Sequence, residues 1–488
     1  MPLTVAKKRN LEAQGTSHQE DALLRSDALF RAEESKDLRS LIAEHIEELQ
    51  RYDVLGMERI VAILPWGRSG SLLLASYFDA HDDVIMLPEL CGWRLHKFIM
   101  RYHSLPLRDK LIAYPAFEPE FTRFFEGQFA ISTTRYYAAV QAITEASCKW
   151  SPDFLASRRA FFIFVHIAYT LALGRRPANA CPLIVYAQHE WDDIAARHLV
   201  EDFPQAKFFH TVRDPISSCD ALFHFHLDAL AERDIFLPHS VLHYLTSGID
   251  RPHSGMESRT RTVRLEDLHS DTAGTMHDLA GQLGLLYQPS LLNSTFNGIP
   301  FVAKRDGKTW SGQNLEQVQR KSWHLARRDL ALMFALFYEN FLSWNYPRPR
   351  AFDHRIVRVA VFVSVVLLPT KMEIIAARAI LERRIRPSLR RGNILPVLRS
   401  LLGIGVCRLK IIGLLVPAFW RRCVHGATLL DVEHGNRPGR RDDRSGAPLN
   451  QPMLESLSSA GLQARPSEPP ASLTPSGINA CIDPQGLE

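Results

Sequence analysis

Residues Ile60-Val61-Ala62-Ile63-Leu64-Pro65 run into Trp66-Gly67-Arg68-Ser69-Gly70-Ser71 and then Leu72-Leu73-Leu74. The apolar run reads as a short buried strand, the Gly/Ser segment as a loop, and the leucines as the start of an amphipathic helix. A strand that passes through a glycine loop into a helix turns backbone N–H groups and the positive end of the helix dipole toward one point. Such a point holds an anion, typically a phosphate, and Arg68 adds a fixed positive charge. The loop is not a full GxxxxGK[ST] motif, because Gly70 is followed by Ser71 and Leu72. Magnesium-dependent phosphoryl transfer is thereby disfavoured.

Further apolar runs share the strand character. Val84 to Leu87 ends at Pro88-Glu89, Pro182 to Tyr186 leads to Gln188-His189-Glu190, and Lys207 to Val212 runs into Arg213-Asp214-Pro215. Thr260 to Leu265 is another strand, followed by a helix through Leu283. Helical segments, among them Leu72 to Phe78 and Trp191 to Asp202, lie between them. The alternation predicts an α/β fold, a parallel β-sheet flanked by helices. Ligands of such sheets sit beyond the carboxyl ends of the strands. The loops at Gly67, Glu89, His189 and Arg213 all follow predicted strands, so they converge on one site. Pro215 suits the first turn of a helix. Arg213 with the hydroxyls of Ser217 and Ser218 makes a second phosphate site.

The rest of the chain frames this domain. In residues 1–57, Leu38, Leu41, Ile42, Ile46 and Leu49 recur at helical spacing, which predicts an N-terminal helical extension. Residues 93–180 read as mostly helical, and the apolar run Ala160 to Leu173 is too short for a membrane span. Residues 296–314 read as a polar loop, and a helix from about Leu330 to Leu342 closes a domain of residues 58–350. Residues 351–425 read as a C-terminal helical extension. In it, Ile356 to Leu368 and Leu401 to Trp420 are apolar, with Arg378, Arg383, Arg384, Arg386, Arg390 and Arg391 between them. Neither run is an uninterrupted stretch of the roughly 20 residues a transmembrane helix needs. Apolar faces flanked by Arg suit helices lying in the interface of an anionic membrane. Residues 426–488, rich in Gly, Pro, Ser and Asn without periodicity, are expected to be disordered.

Composition narrows the function classes. A formal net charge of +5 is small for 488 residues and does not suggest a nucleic-acid partner. Seven cysteines stand without paired spacing, so neither a zinc site nor a disulfide framework is indicated, and reduced thiols suit the cytosol. Met1 to Gln19 lacks the apolar core of a signal peptide. The expected location is cytoplasmic, peripheral on a membrane.

Four segments in order carry a resemblance. Gly67-Arg68-Ser69-Gly70-Ser71 with Leu72-Leu73 and the segment Phe203 to Pro215 are similar to the 5′- and 3′-phosphate loops of sulfotransferases that use 3′-phosphoadenosine 5′-phosphosulfate (PAPS). Val263 to Leu268, then Leu279 to Leu285, resembles that family's RYEDL…LGL segment, and Gly307 to Gly312 its late nucleotide loop. The resemblance covers roughly residues 58–345. It implies that Gly67, Arg68, Ser69, Gly70 and Ser71 wrap the 5′-phosphosulfate. It implies that Arg213 binds the 3′-phosphate, and that Arg305, Gly307 and Lys308 close over the nucleotide. Two positions depart from the pattern. Leu72 stands where the family usually has a hydroxyl, and Ala221 where it usually has a Ser. Ser217 and Ser218, one helical turn before Ala221, are on about the same face and can substitute.

The implied reaction transfers a sulfuryl group to an acceptor hydroxyl by in-line displacement, without a metal. It needs a base for the acceptor proton and positive charge on the bridging oxygen. Arg68 fits the second role. Two residues are candidates for the base. Glu89 is placed like the catalytic Glu of some carbohydrate and tyrosine sulfotransferases, and His189 lies near where cytosolic sulfotransferases keep their catalytic His. His166 and His210 read as core histidines. The expected acceptor is a carbohydrate or a lipid-linked glycan. Two other readings stay open: a P-loop-type nucleotide kinase, and a non-catalytic membrane-bound scaffold with a sulfotransferase-like fold.

Overall fold

Five parallel strands run side by side in the order β2-β3-β1-β4-β5. They are β1 (Ile60–Pro65), β2 (Val84–Met86), β3 (Leu183–Ala187), β4 (Lys207–Val212) and β5 (Thr260–Arg264). The computed structural model describes residues 36–425 except 89–90, 93–94, 118–123, 189–192, 231–234, 248–255, 306–307 and 315–324. Every residue of β1 is buried, as expected of a parallel strand covered on both faces. Ile60, Ala62 and Leu64 enter a core shared with the helices Thr133–Glu145 and Arg158–Ala172. Val61 and Ile63 enter another, with the helices Ser71–Phe78 and Thr272–Leu283.

The chain leaves β1 for the edge strand β2, returns to β3, then crosses β1 to reach β4 and β5. β1 therefore sits where the strand order reverses direction, the place where such sheets open a ligand crevice. The apolar run after Ala160 is a core helix: the residues from Ala160 to Ala172 are all buried, and Ser157 caps the start by accepting the N–H of Ala160 at 3.1 Å. The Lys36–Leu49 helix packs on Thr133–Glu145.

Three local expectations change. Residues 296–314 are not simply a polar loop. They contribute to two antiparallel hairpins, β6 (Thr295–Phe296) with β7 (Ile299–Pro300) and β8 (Val302–Arg305) with β9 (Lys308–Ser311). The first turns on Asn297 and Gly298, both at positive φ (53° and 75°), the pair that suits a tight hairpin. The helix after β5 is two helices, Leu265–Ser270 and Thr272–Leu283, because Asp271 accepts the N–H of Gly274 and starts the second. The closing helix is likewise two, Arg327–Leu336 and Tyr338–Ser343.

The C-terminal helices are Arg355–Leu367, Lys371–Ile380, a π turn through Ile385 into Arg386–Arg390, and Ile394–His425. Met372, Cys407, Ile411, Leu415 and Ala418 join Trp66, Val212 and Ile216 in one core cluster. Apolar side chains from both sides of residue 350 thus share a core. Two stretches, 355–390 and 394–420, are long and apolar enough to cross a membrane by length and composition. That revises the expectation that neither run qualifies.

Candidate functional site

The loop after β1 is pinned on both flanks. The Trp66 N–H donates to the Thr211 carbonyl at 2.9 Å and to Ser69 Oγ at 3.2 Å. Ser69 Oγ and Thr211 Oγ1 share a hydrogen bond of 2.9 Å. The Trp66 indole N–H reaches the Leu245 carbonyl at 3.0 Å, and its ring meets Phe337 and Trp344 edge-on. Full burial of such a ring contributes on the order of 2–3 kcal/mol, so the loop's first residue is a firm anchor.

Between these pins the backbone takes a shape that glycine permits. Gly67 and Gly70 have φ of +63° and +81°. A β-carbon on Gly70 would meet Leu265 Cδ1 at 2.3 Å, and one on Gly67 would meet Ser218 Oγ at 2.1 Å. Gly70 stands at the N-cap of the Ser71–Phe78 helix and, as a glycine, has no side chain with which to cap it. The first-turn N–H groups have no intrahelical partners, so the end is an open anion cradle. Leu72 is half-buried beside it. Arg68 is exposed, its guanidinium 4.0 Å above the Phe225 ring.

β4 delivers the second arm. Arg213 is buried directly after it. Asp214 Oδ1 accepts the Ser217 N–H at 2.7 Å and so caps the Pro215–Leu230 helix. The Asp214 N–H donates to Glu266 Oε1 at 3.1 Å, while Glu266 Oε2 accepts the Tyr346 hydroxyl at 2.6 Å. Burial raises the Asp214 pKa; the Ser217 hydrogen bonds lower it, Glu266 adds to the rise and Arg213 opposes it. Ser218 Oγ is buried with no hydrogen-bond partner among the described residues. It is an orphan polar atom against the Gly67 backbone, which is what an anion site would fill.

β5 brings the third arm. Leu265 covers Gly70, and His269 lies one turn on. The His269 pKa falls to about 4, first through burial and then through the positive charge of Arg213. Its Nδ1 accepts the Asn314 N–H at 2.9 Å, which ties the segment after β9 to the same place. The structure therefore joins Ser69 to Thr211, Gly67 to Ser218 and Gly70 to Leu265, with Arg213 close enough to His269 to lower its pKa. Ser71 opens the helix after Gly70, and Ser217 sits in the first turn after Arg213.

Arg305 and Lys308 face each other in register on β8 and β9, and Gly307 lies outside the described residues. Glu89 and His189 also lie outside them. The strands that precede them, β2 and β3, run parallel to β1 in the same sheet, β3 beside β1 and β2 beyond β3, and end on the same edge. His166 and His210 are core histidines as expected, each pushed down to about 4 by burial. Sequence reading missed Trp66, Thr211, Glu266, His269 and Tyr346. A Thr at a strand end is a visible signal; the pairing of Tyr346 with Glu266, so far apart in the chain, leaves none.

Residues 61–289 match the sulfotransferase family. Among solved structures, the sulfotransferase domain of the Synechococcus PCC 7002 olefin synthase is 17% identical, with 66% of this chain and 92% of that one covered and a TM-score of 0.29. Sulfotransferase STF9 from Mycobacterium avium is 12% identical, with 62% and 81% covered and a TM-score of 0.31. The sulfotransferase domain from the curacin biosynthetic pathway is 15% identical, with 48% and 77% covered and a TM-score of 0.25. No curated protein matches the sequence.

Proposed function

We propose that the chain is a sulfotransferase, a reading supported by the match of residues 61–289 to that family, and that it uses PAPS to sulfate an acceptor hydroxyl of a carbohydrate or a lipid-linked glycan. The observation that supports the donor assignment is a pair of anion-binding features on loops that leave the adjacent strands β1 and β4. One is the open helix end at Gly70. The other is the start of the helix after β4, where Arg213 is buried and the Ser218 hydroxyl has no hydrogen-bond partner among the described residues. A donor with phosphates at both its 5′ and 3′ ends fits two such features better than a triphosphate does.

PAPS, when bound, supplies an activated sulfuryl group on a good leaving phosphate. The chain's own residues supply the rest. The first-turn N–H groups of the Ser71–Phe78 helix and the loop backbone hold the 5′ end. Arg213 and Ser218 hold the 3′-phosphate, with charge-assisted bonds to the guanidinium. Arg68, exposed at the loop crest, places positive charge where the leaving oxygen develops its own. Arg305 and Lys308, on the hairpin tied by Asn314 to His269, close over the nucleotide. The acceptor proton goes to Glu89 or His189, which follow β2 and β3 in the sequence.

The test is a binding and transfer pair. Calorimetry with 3′,5′-diphosphoadenosine and no magnesium should show tight binding, with Arg213→Ala weakening it roughly tenfold to hundredfold. Labelled sulfate should pass from PAPS to a glycan or lipid fraction, and Glu89→Ala or His189→Ala should stop it. Binding of magnesium-ATP alone would favour the kinase reading. Nucleotide binding without transfer to any acceptor pool would favour the scaffold.

A further inference from the structure

The Ile394–His425 helix has two unlike long faces. Val397, Cys407, Ile411, Leu415 and Ala418 are buried. Leu398, Leu402, Leu409, Val416 and Trp420 recur at helical spacing on the outside, 44% (Val416) to 69% (Leu402) exposed. The Arg355–Leu367 helix repeats the pattern, with Ile356 at 83% and Leu367 at 73%. Singly exposed apolar residues need no explanation, but two helices exposing apolar stripes mark a contact surface.

The charges are sorted around that face. Arg408 and Lys410 fall within the apolar helix, yet both turn back onto the protein. Arg408 bonds Glu373 at 2.9 Å and the carbonyls of Val365 and Val366, and Lys410 lies 4.4 Å over the Phe236 ring. Arg383, Arg386, Arg390, Arg391 and Arg399 are exposed. From Ile374 to His425 the chain has eleven Lys and Arg against one acidic residue, Glu382. A second copy of the chain would bring like charges together, and a protein interface is depleted of charge at its core. Aliphatic side chains with a Trp and a rim of arginines suit the headgroup boundary of an anionic bilayer.

The packing decides the orientation. The buried stripe lies against the Leu237–Ser247 helix, whose Leu245 carbonyl holds the Trp66 indole. Lipid cannot enclose a helix that has one side in a protein core. We propose that the C-terminal helices form a monotopic docking surface for an anionic phospholipid bilayer. They lie in the plane of the interface, with Leu402, Leu409 and Trp420 in the acyl boundary and the arginines on the lipid phosphates. This surface is separate from the sulfuryl-transfer site and does not depend on that reading.

Flotation of the full chain with phosphatidylcholine vesicles, with and without phosphatidylserine, tests it. The chain should float with the mixed vesicles and bind pure phosphatidylcholine, or mixed vesicles at high salt, at least about tenfold more weakly. Leu402→Asp with Leu409→Asp should abolish flotation. Changing Arg383, Arg386 and Arg390 to Gln should remove only the preference for phosphatidylserine. Both variants should keep the wild-type melting temperature. If the aspartate pair does not fold, quenching of Trp emission by brominated lipid, reduced in Trp420→Phe, is the second readout. The proposal is overturned if the chain sediments with both vesicle types, or if the aspartate pair floats like wild type. It is also overturned if the face instead mediates a dimer that the aspartate pair dissolves.

Discussion

The Ser218 hydroxyl lies against the α-carbon of Gly67, so close that a β-carbon there would sit 2.1 Å from Oγ. The two residues belong to different arms of the site, one after β1 and one after β4. Gly67→Ala should therefore fail in two ways. A non-glycine residue at φ +63° costs roughly 1–2 kcal/mol, and the overlap displaces Ser218. Calorimetric titration with 3′,5′-diphosphoadenosine should show affinity down by more than about tenfold, and urea denaturation a loss of stability of roughly that cost.

Ser218→Ala separates binding from folding. The hydroxyl is buried and has no partner among the described residues, so its removal relieves a desolvation cost of roughly 1 kcal/mol. Urea midpoints should stay level or rise while nucleotide affinity falls. A fall in both would mean that Ser218 serves the fold.

Asp79 is 2% exposed and carries four contacts at once. It takes both terminal nitrogens of the Arg175 guanidinium, at 3.1 and 3.0 Å, the Thr295 hydroxyl at 3.0 Å and the Gly298 N–H at 3.0 Å. Asp79→Asn leaves Arg175 without its counter-charge and gives the β6–β7 turn a poorer acceptor. The expected cost is about 3 kcal/mol, read as a lower melting temperature. Hydrogen exchange should quicken first at Gly298.

Tyr346→Phe removes the 2.6 Å bond to Glu266, whose other oxygen holds the Asp214 N–H. Stability should fall by roughly 1–2 kcal/mol. The loop after β4 should loosen with it, so nucleotide affinity should drop although Tyr346 is outside the cradle.

Stability should depend on pH through three buried rings. His166, His210 and His269 are each held at about 4 against an ordinary 6.5, chiefly by burial. Unfolding returns each to 6.5, so between pH 6.5 and 4 the unfolded chain binds more protons. Their contribution is fully present above pH 6.5 and is lost as pH falls through the window, up to roughly 3 kcal/mol for each ring. Urea midpoints taken across that range should decline steadily toward acid.

The central strands were legible because both faces of the sheet are covered. β4 falls at the residues expected, and β3 within one, since a buried parallel strand reads as an unbroken apolar run. The cradle was legible because glycines and a helix start sit next to each other in the chain. What brings its arms together was not, since Ser218 meets Gly67, and Glu266 joins Asp214 to Tyr346, across long separations. The hairpin at Asn297-Gly298 was open to reading. Its turn pair is the usual signal, but strands of two residues are too short to show an alternating pattern.

Arg408 reaches across the C-terminal helices to the carbonyls that end Arg355–Leu367 and to the Glu373 that caps Lys371–Ile380. The three helices are in that sense one part. A protease that nicks the chain near Gly392 and releases the last helix would strand Glu373 and uncap a helix end. It would also open the core in which Trp66 sits. The outermost helix and the first residue of the anion loop would then fail together, so the sheet domain should not outlive its extension.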